Sequence, residues 1–144
     1  MSYAKETRVP IDRTQGEIRK TLEKYDARGF AFAEQPDRAF IMFQMQQRMV
    51  KFILPMPKRP DSGATEASRK TYQQLSRSRW RAVLLAIKAK LEAVEVGIAS
   101  FEEEFMAQIV LPNGKTVGEV MTPQITEAYG KGKMPPLLGY GNHV

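Results

Sequence analysis

RAFIMFQMQQRMVKFIL, residues 38–54, holds two runs rich in β-branched and aromatic side chains, RAFIMFQMQ at 38–46 and MVKFIL at 49–54, joined by Gln47-Arg48. A strand points successive side chains to opposite faces, so Ile41, Phe43 and Met45 share one face, as do Val50, Phe52 and Leu54, while Phe40, Met42 and Ile53 point to the other. A connection this short favours antiparallel neighbours. Upstream, FAFAE at 30–34 is a third run, separated by Gln35-Pro36-Asp37, in which Pro36 presets the φ of a turn. Together they predict a three-stranded antiparallel meander. Both of its faces are partly apolar. With an N-terminal helix on one, the second is expected to be covered by the long helix or by another chain.

Working outward, TQGE at 14–17 has the form of a capping box and predicts a helix start at Thr14; Ile18, Leu22 and Tyr25 form its apolar stripe, and Gly29 is its expected stop. PMPKRPDSGATEAS at 55–68 carries three prolines in its first six residues and reads as a surface linker. A long helix follows over 66–98. Its apolar residues Trp80, Leu84, Ile87, Leu91, Val94 and Ile98 step by 4, 3, 4, 3, 4, a heptad seam expected to mediate self-association. Ser100 to Glu103 is a second capping box, starting a helix through Phe101, Phe105 and Ile109. PNGK at 112–115 is a turn, Thr116 to Glu119 a third box, Thr122-Pro123 a restart, and Gly130 a stop. The fold class expected is α+β in a single domain over 1–144: helix plus meander at 1–54, linker at 55–65, a helical part at 66–130 and a flexible tail at 131–144.

The charge is uneven. The chain of 144 residues has a formal charge of +6. Residues 1–66 hold 12 Lys and Arg against 9 Asp and Glu, 67–91 hold 7 against 0, and 92–144 hold 3 against 7, so the excess sits on the long helix. At about 100° per residue, Lys70, Arg77, Arg81 and Lys88 fall within about 40° of one another, along about 27 Å of helix. Such a stripe suits phosphates, whose neutralisation releases counterions. Arg69, Arg79 and Lys90 are expected helpers, the last two on a third side of the helix. The bland alternative is a solvated flank: Glu92 and Glu95 extend the stripe, and Lys88 is spaced to pair with Glu92. Trp80 lies on the seam and reads as core, not as a base-stacking platform.

Catalytic chemistry finds little support. The one histidine is His143, near the C-terminus, and there is no cysteine. No Ser-His-Asp or Cys-His set, P-loop or dinucleotide spacing exists, so no catalytic residue, cofactor or metal is expected. Glu102, Glu103 and Glu104 spread around a helix start and suit its macrodipole. A minor alternative joins one of them with Glu34 and Asp37 to hold Mg²⁺, as in a nuclease. Neither a signal peptide nor a membrane-spanning run is expected, which fits an intracellular setting.

The runs TQGEIRKTLEKYDARGFAF, RAFIMF, RMVKFILPMP, SRWRAVLLAIKAKLEAVEVGI, FEEEFMAQIVLPNGKTVGEVM and KMPPLLG cover most of the chain. In them it resembles a group of small, uncharacterised basic proteins of bacteriophages and prophages. The resemblance implies a place among phage genes of DNA replication and recombination and the cytoplasm of a bacterial host; it brings no assigned active site. The order α-β-β-β-α is also similar to that of a double-stranded RNA-binding domain, in topology only, because the linker and last helix are too long and the basic loop motif is missing. The function expected is that of a non-enzymatic nucleic-acid-binding accessory protein, with DNA ahead of RNA, forming a homo-oligomer. The alternative is a protein-binding factor acting on a host or phage protein, such as a defence or recombination enzyme, through the long helix and the second sheet face.

Overall fold

The computed structural model describes residues 3–133, with backbone alone for 3–9. The elements are α1 (Tyr3–Glu23), β1 (Arg28–Gln35), β2 (Arg38–Met45), β3 (Arg48–Pro55), α2 (Glu66–Glu95), α3 (Phe101–Phe105) and α4 (Val117–Lys131), with a 3-10 turn at Met106–Gln108. This is an α+β fold whose sheet runs in the order β1-β2-β3, antiparallel throughout. The expected tail lies largely outside the described residues, as does His143.

Both hairpins close in two residues. Gln35 pairs with Arg38 across Pro36-Asp37, and Met45 with Arg48 across Gln46-Gln47, one residue earlier than the spacing suggested. Gln46 and Gln47 both have positive φ, 49° and 63°. That geometry matches the right-handed twist of the strands, but it costs a residue with a side chain about 1 kcal/mol.

Register puts Phe32, Ile41 and Phe52 in one cross-strand row and Ala33, Phe40 and Ile53 in the next, on the opposite face. Ala39, Ile41, Phe43, Met45, Val50, Phe52 and Leu54 are buried. Trp80 of α2 meets Phe32 edge-on at 6.1 Å, Phe105 of α3 meets Phe52 at 6.3 Å, and Arg19 of α1 lies over Phe30 and Phe32. The helices therefore share one face. Contrary to expectation, the long helix does not cover the second: Phe40, Met42, Lys51 and Ile53 are half-buried there, with Ala31 and Ala33 exposed.

The seam is spent on this core. Trp80, Leu84 and Ile87 are fully buried and Leu91 nearly so, Val94 packs against them half-buried, and Ile98 lies past the helix end, 80% exposed. Four of the six residues expected to mediate self-association thus have no surface to offer a second copy. A 4-3 spacing marks the face that gets buried, and here the sheet and α1 bury it.

Helix ends differ from the sequence reading where a local motif had a competitor. α1 begins at Tyr3, so Thr14 is internal: its hydroxyl donates to the Pro10 carbonyl at 3.1 Å, and Glu17 turns away to α2 instead of capping. Gly29 does not stop this helix. Asp26 turns the chain at φ 64°, while Gly29, at φ 68°, serves an irregularity in β1 where the register shifts between Arg28 and Ala31. α2 starts at Glu66 as read, on Thr65, whose side chain accepts the Ser68 N–H, but it ends at Glu95, short of Ile98. α4 runs through Pro123 without a restart and past Gly130, to end on Gly132 in the left-handed region.

The other two capping boxes form as read. Ser100 and Glu103 exchange hydrogen bonds, as do Thr116 and Glu119. The Thr116 N–H donates to the Glu119 carboxylate at 2.9 Å, the first cause holding that carboxyl below its ordinary value of 4.5. A depressed carboxyl contributes stability that is present above the unfolded-state value and lost as pH falls through the folded one. The first turn of α4 should therefore loosen below about pH 4.5, the ordinary value. Thr116→Ala should weaken that turn by about 1 kcal/mol at neutral pH. Amide hydrogen exchange within α4 reads both effects; unchanged exchange in the alanine variant would remove the cap from the account.

Candidate nucleic-acid interface

The four stripe residues project from one uninterrupted helix. Lys70, Arg81 and Lys88 are exposed and Arg77 is half-buried. Among the described residues, Lys70, Arg77 and Lys88 make no ion pair or hydrogen bond, and Lys88 does not close on Glu92. Arg81 is the exception: its guanidinium stands 3.4 Å from the Glu17 carboxylate of α1. Both partners are largely exposed, so the pair is weak and easily exchanged for another anion.

The expected helpers do other work. Arg69 donates to the Ser62 carbonyl at 2.8 Å and ties the linker to α2. Arg79 donates to the Pro55 carbonyl at 2.7 Å, fixing the end of β3. Lys90 donates to the Glu104 carbonyl at 3.0 Å, lies 3.6 Å from its carboxylate and sits over the Phe105 ring, holding α3 in place. These three cations are clamps within the chain, each with its head on a backbone carbonyl. A helix wheel shows direction but not which carbonyl oxygen awaits at the end of it.

The contact between Glu17 and Arg81 also places α1 along the stripe side of α2. At about 100° per residue, Arg13 and Lys20 lie within about 60° of Glu17 on α1, Lys24 stands in the turn just past its end, and all three are exposed. Cations of two helices thus flank one ridge, with Glu17 the carboxylate that meets it. The i, i+7, i+11 spacing of 13, 20 and 24 was the available signal, but without the packing of α1 on α2 it pointed nowhere. A separate cationic spot lies on the far side of the sheet, where Arg38 and Lys51 stand over the Phe40 ring at 5.2 and 5.0 Å.

At the C-terminal end of α2 the polarity changes. The Tyr25 hydroxyl donates to Glu95 at 2.6 Å, and this bond to a carboxylate is the first cause raising the tyrosine above its ordinary value. Glu34 and Asp37 do not assemble with 102–104 into a metal site: among the described residues, no group of three or more His, Cys, Asp or Glu is placed to hold an ion. Nor is any described helix long and apolar enough to cross a membrane. Comparison of the chain with protein-family models, with curated proteins and with solved structures finds no match.

Proposed function

We propose that this chain is a non-enzymatic nucleic-acid-binding accessory protein of phage origin, working in the host cytoplasm and taking DNA ahead of RNA. What supports the reading is the cationic ridge: among the described residues, Lys70, Arg77 and Lys88 are left without partners along one helix, and Arg81 is held by a solvated carboxylate. Phosphates at B-DNA spacing can meet several of these heads at once, and counterion release then drives binding. The phage origin rests on the resemblance of the sequence.

Fluorescent single- and double-stranded DNA and RNA, titrated across a salt series, test the proposal. The association constant should fall steeply with salt, by nearly one log unit per log unit for each phosphate neutralised on a duplex. Undetectable binding at 50 mM salt, or affinity indifferent to salt, would end it. Glu17→Gln frees Arg81 and should raise affinity, by up to about fivefold if the pair is worth what exposed pairs usually are; a loss of affinity would show that Glu17 positions the arginine productively.

A protein-facing role is the second reading, favoured by α4. That helix has no buried residue and exposes Ile125 by 53% and Tyr129 by 89%. With most of the seam consumed, self-association also falls to this helix or to the open sheet face. Sedimentation equilibrium of the parent and of an Ile125→Asp, Tyr129→Asp variant checks it: a concentration-dependent oligomer lost in the variant supports the role, and a monomer throughout removes self-association.

A further inference from the structure

Among the described residues, the non-glycine positions at positive φ are Asp26, Gln46 and Gln47, and all three line one cavity of about 510 Å³. Its remaining polar walls are Tyr25, Arg28 and Gln44. The size falls in the range of small-ligand sites. The cavity joins the turn after α1 to the β2–β3 hairpin, and Tyr25 ties it to Glu95 at the end of α2. It therefore opens about 10 Å along the axis beyond Lys88, the last cation of the ridge.

The hairpin is the informative part. A two-residue turn with both φ positive is best made by Asn-Gly, because asparagine tolerates the left-handed region and glycine pays nothing there. This chain places Gln-Gln in that turn and carries the strain. Strain kept where a cheaper residue pair would serve is a mark of side chains retained for what they touch. The amides of Gln44, Gln46 and Gln47 each present a donor and an acceptor side by side, the pattern that pairs with N6 and N7 of adenine. Tyr25 offers a half-buried ring whose hydroxyl is anchored, a fixed surface on which a base can stack.

We infer that this cavity receives an unpaired adenine base, read by the glutamine amides and stacked on Tyr25. The inference rests on the nucleic-acid reading in placing that base at the end of the cationic ridge. The same base chemistry comes from two sources, a strand or a free nucleotide, and the experiment separates them.

Short single strands of deoxyadenylate, deoxythymidylate and deoxycytidylate are titrated against the parent and against Gln44→Thr, Gln46→Gly, Gln47→Gly, which removes all three amides and leaves a residue pair suited to two positive φ angles. The parent should prefer deoxyadenylate by about tenfold. The variant should melt higher than the parent, lose the preference, and keep the salt dependence, since the ridge is untouched. A structural role for the glutamines predicts no loss of preference, so the more stable variant is a clean control for folding. Equal affinity of the parent for all three strands, or a preference that survives in the variant, overturns the base site and leaves the ridge standing. Adenosine 5′-monophosphate titrated against ¹⁵N-labelled parent identifies the source: shifts in the side-chain amides of Gln44, Gln46 and Gln47 without any strand binding assign the site to a free nucleotide and sink the nucleic-acid reading. The absence of both strand preference and amide shifts overturns the inference.

Discussion

Trp80→Ala is expected to lower the unfolding free energy by about 3–5 kcal/mol, the usual cost of truncating a large buried aromatic. A domain of ordinary stability has only about 5–15 kcal/mol in total, so the variant should be partly unfolded at physiological temperature. Trp80 is 0% exposed, the largest of the fully buried side chains, and it meets Phe32 edge-on where α2 crosses the inner face of the sheet. Among the described residues its indole N–H has no hydrogen-bond partner, which is itself a cost. Trp80→Phe should therefore lose less than its volume change suggests, because the orphan donor goes with the indole. Urea denaturation with tryptophan fluorescence for the parent, and circular dichroism for both variants, measures the series. The midpoint should not depend on protein concentration, since the indole is packed within one chain. A midpoint that rises with concentration, together with near-parental stability of the alanine variant, would move Trp80 to an interface and restore the seam to self-association.

The same residue shows where sequence reading succeeds and where it stops. The step of 4, 3, 4, 3, 4 from Trp80 correctly marks the buried side of α2 as far as Leu91, because a helix buries whatever face is apolar. It says nothing of the partner, and a sheet satisfies the same spacing as a second helix. The meander was legible in detail for a related reason: alternation along 38–54 fixes which side chains go in, and a one-residue slip would expose all of them. Thr14 was misread because a Thr-x-x-Glu pattern caps a helix only if the residues before it are not already helical, and here α1 is under way from Tyr3. Gly29 was misread because glycine serves a helix end and a strand irregularity equally well, and Asp26 had taken the first role.

The candidate sites divide along the same line. Lys70, Arg77, Arg81 and Lys88 share a stripe by helical geometry alone, so the sequence contains it. Arg79 reaches a carbonyl at Pro55 and Lys90 one at Glu104, contacts made by tertiary packing and invisible to a wheel. The cavity joins residues near 25 to residues near 45 through strand register, and its one local trace was a Gln-Gln pair in a turn that asks for Asn-Gly.

Changing Lys70, Arg77, Arg81 and Lys88 together to glutamine is expected to flatten the salt dependence of duplex binding by about 3 to 4 units of log-log slope, at about 0.9 per phosphate contact. At 0.1 M salt, each contact contributes nearly a factor of ten through counterion release, so affinity should fall about a thousandfold. Arg81 counts for somewhat less than the others, because Glu17 already neutralises part of its charge in the free protein. The substitutions sit on exposed or half-exposed positions, and glutamine keeps helix propensity, so the thermal midpoint should stay close to that of the parent. Arg79→Gln and Lys90→Gln provide the contrast: their heads are held on backbone carbonyls, so they should cost stability and leave the slope unchanged. Arg13, Lys20 and Lys24 set the breadth of the surface. If the duplex lies across both helices, changing these three as well removes about 2.7 further units of slope; if it tracks α2 alone, the slope stays where the four substitutions left it. A quadruple variant that binds with parental affinity and parental slope would mean that the ridge is only a solvated flank, and the nucleic-acid reading would fall with it.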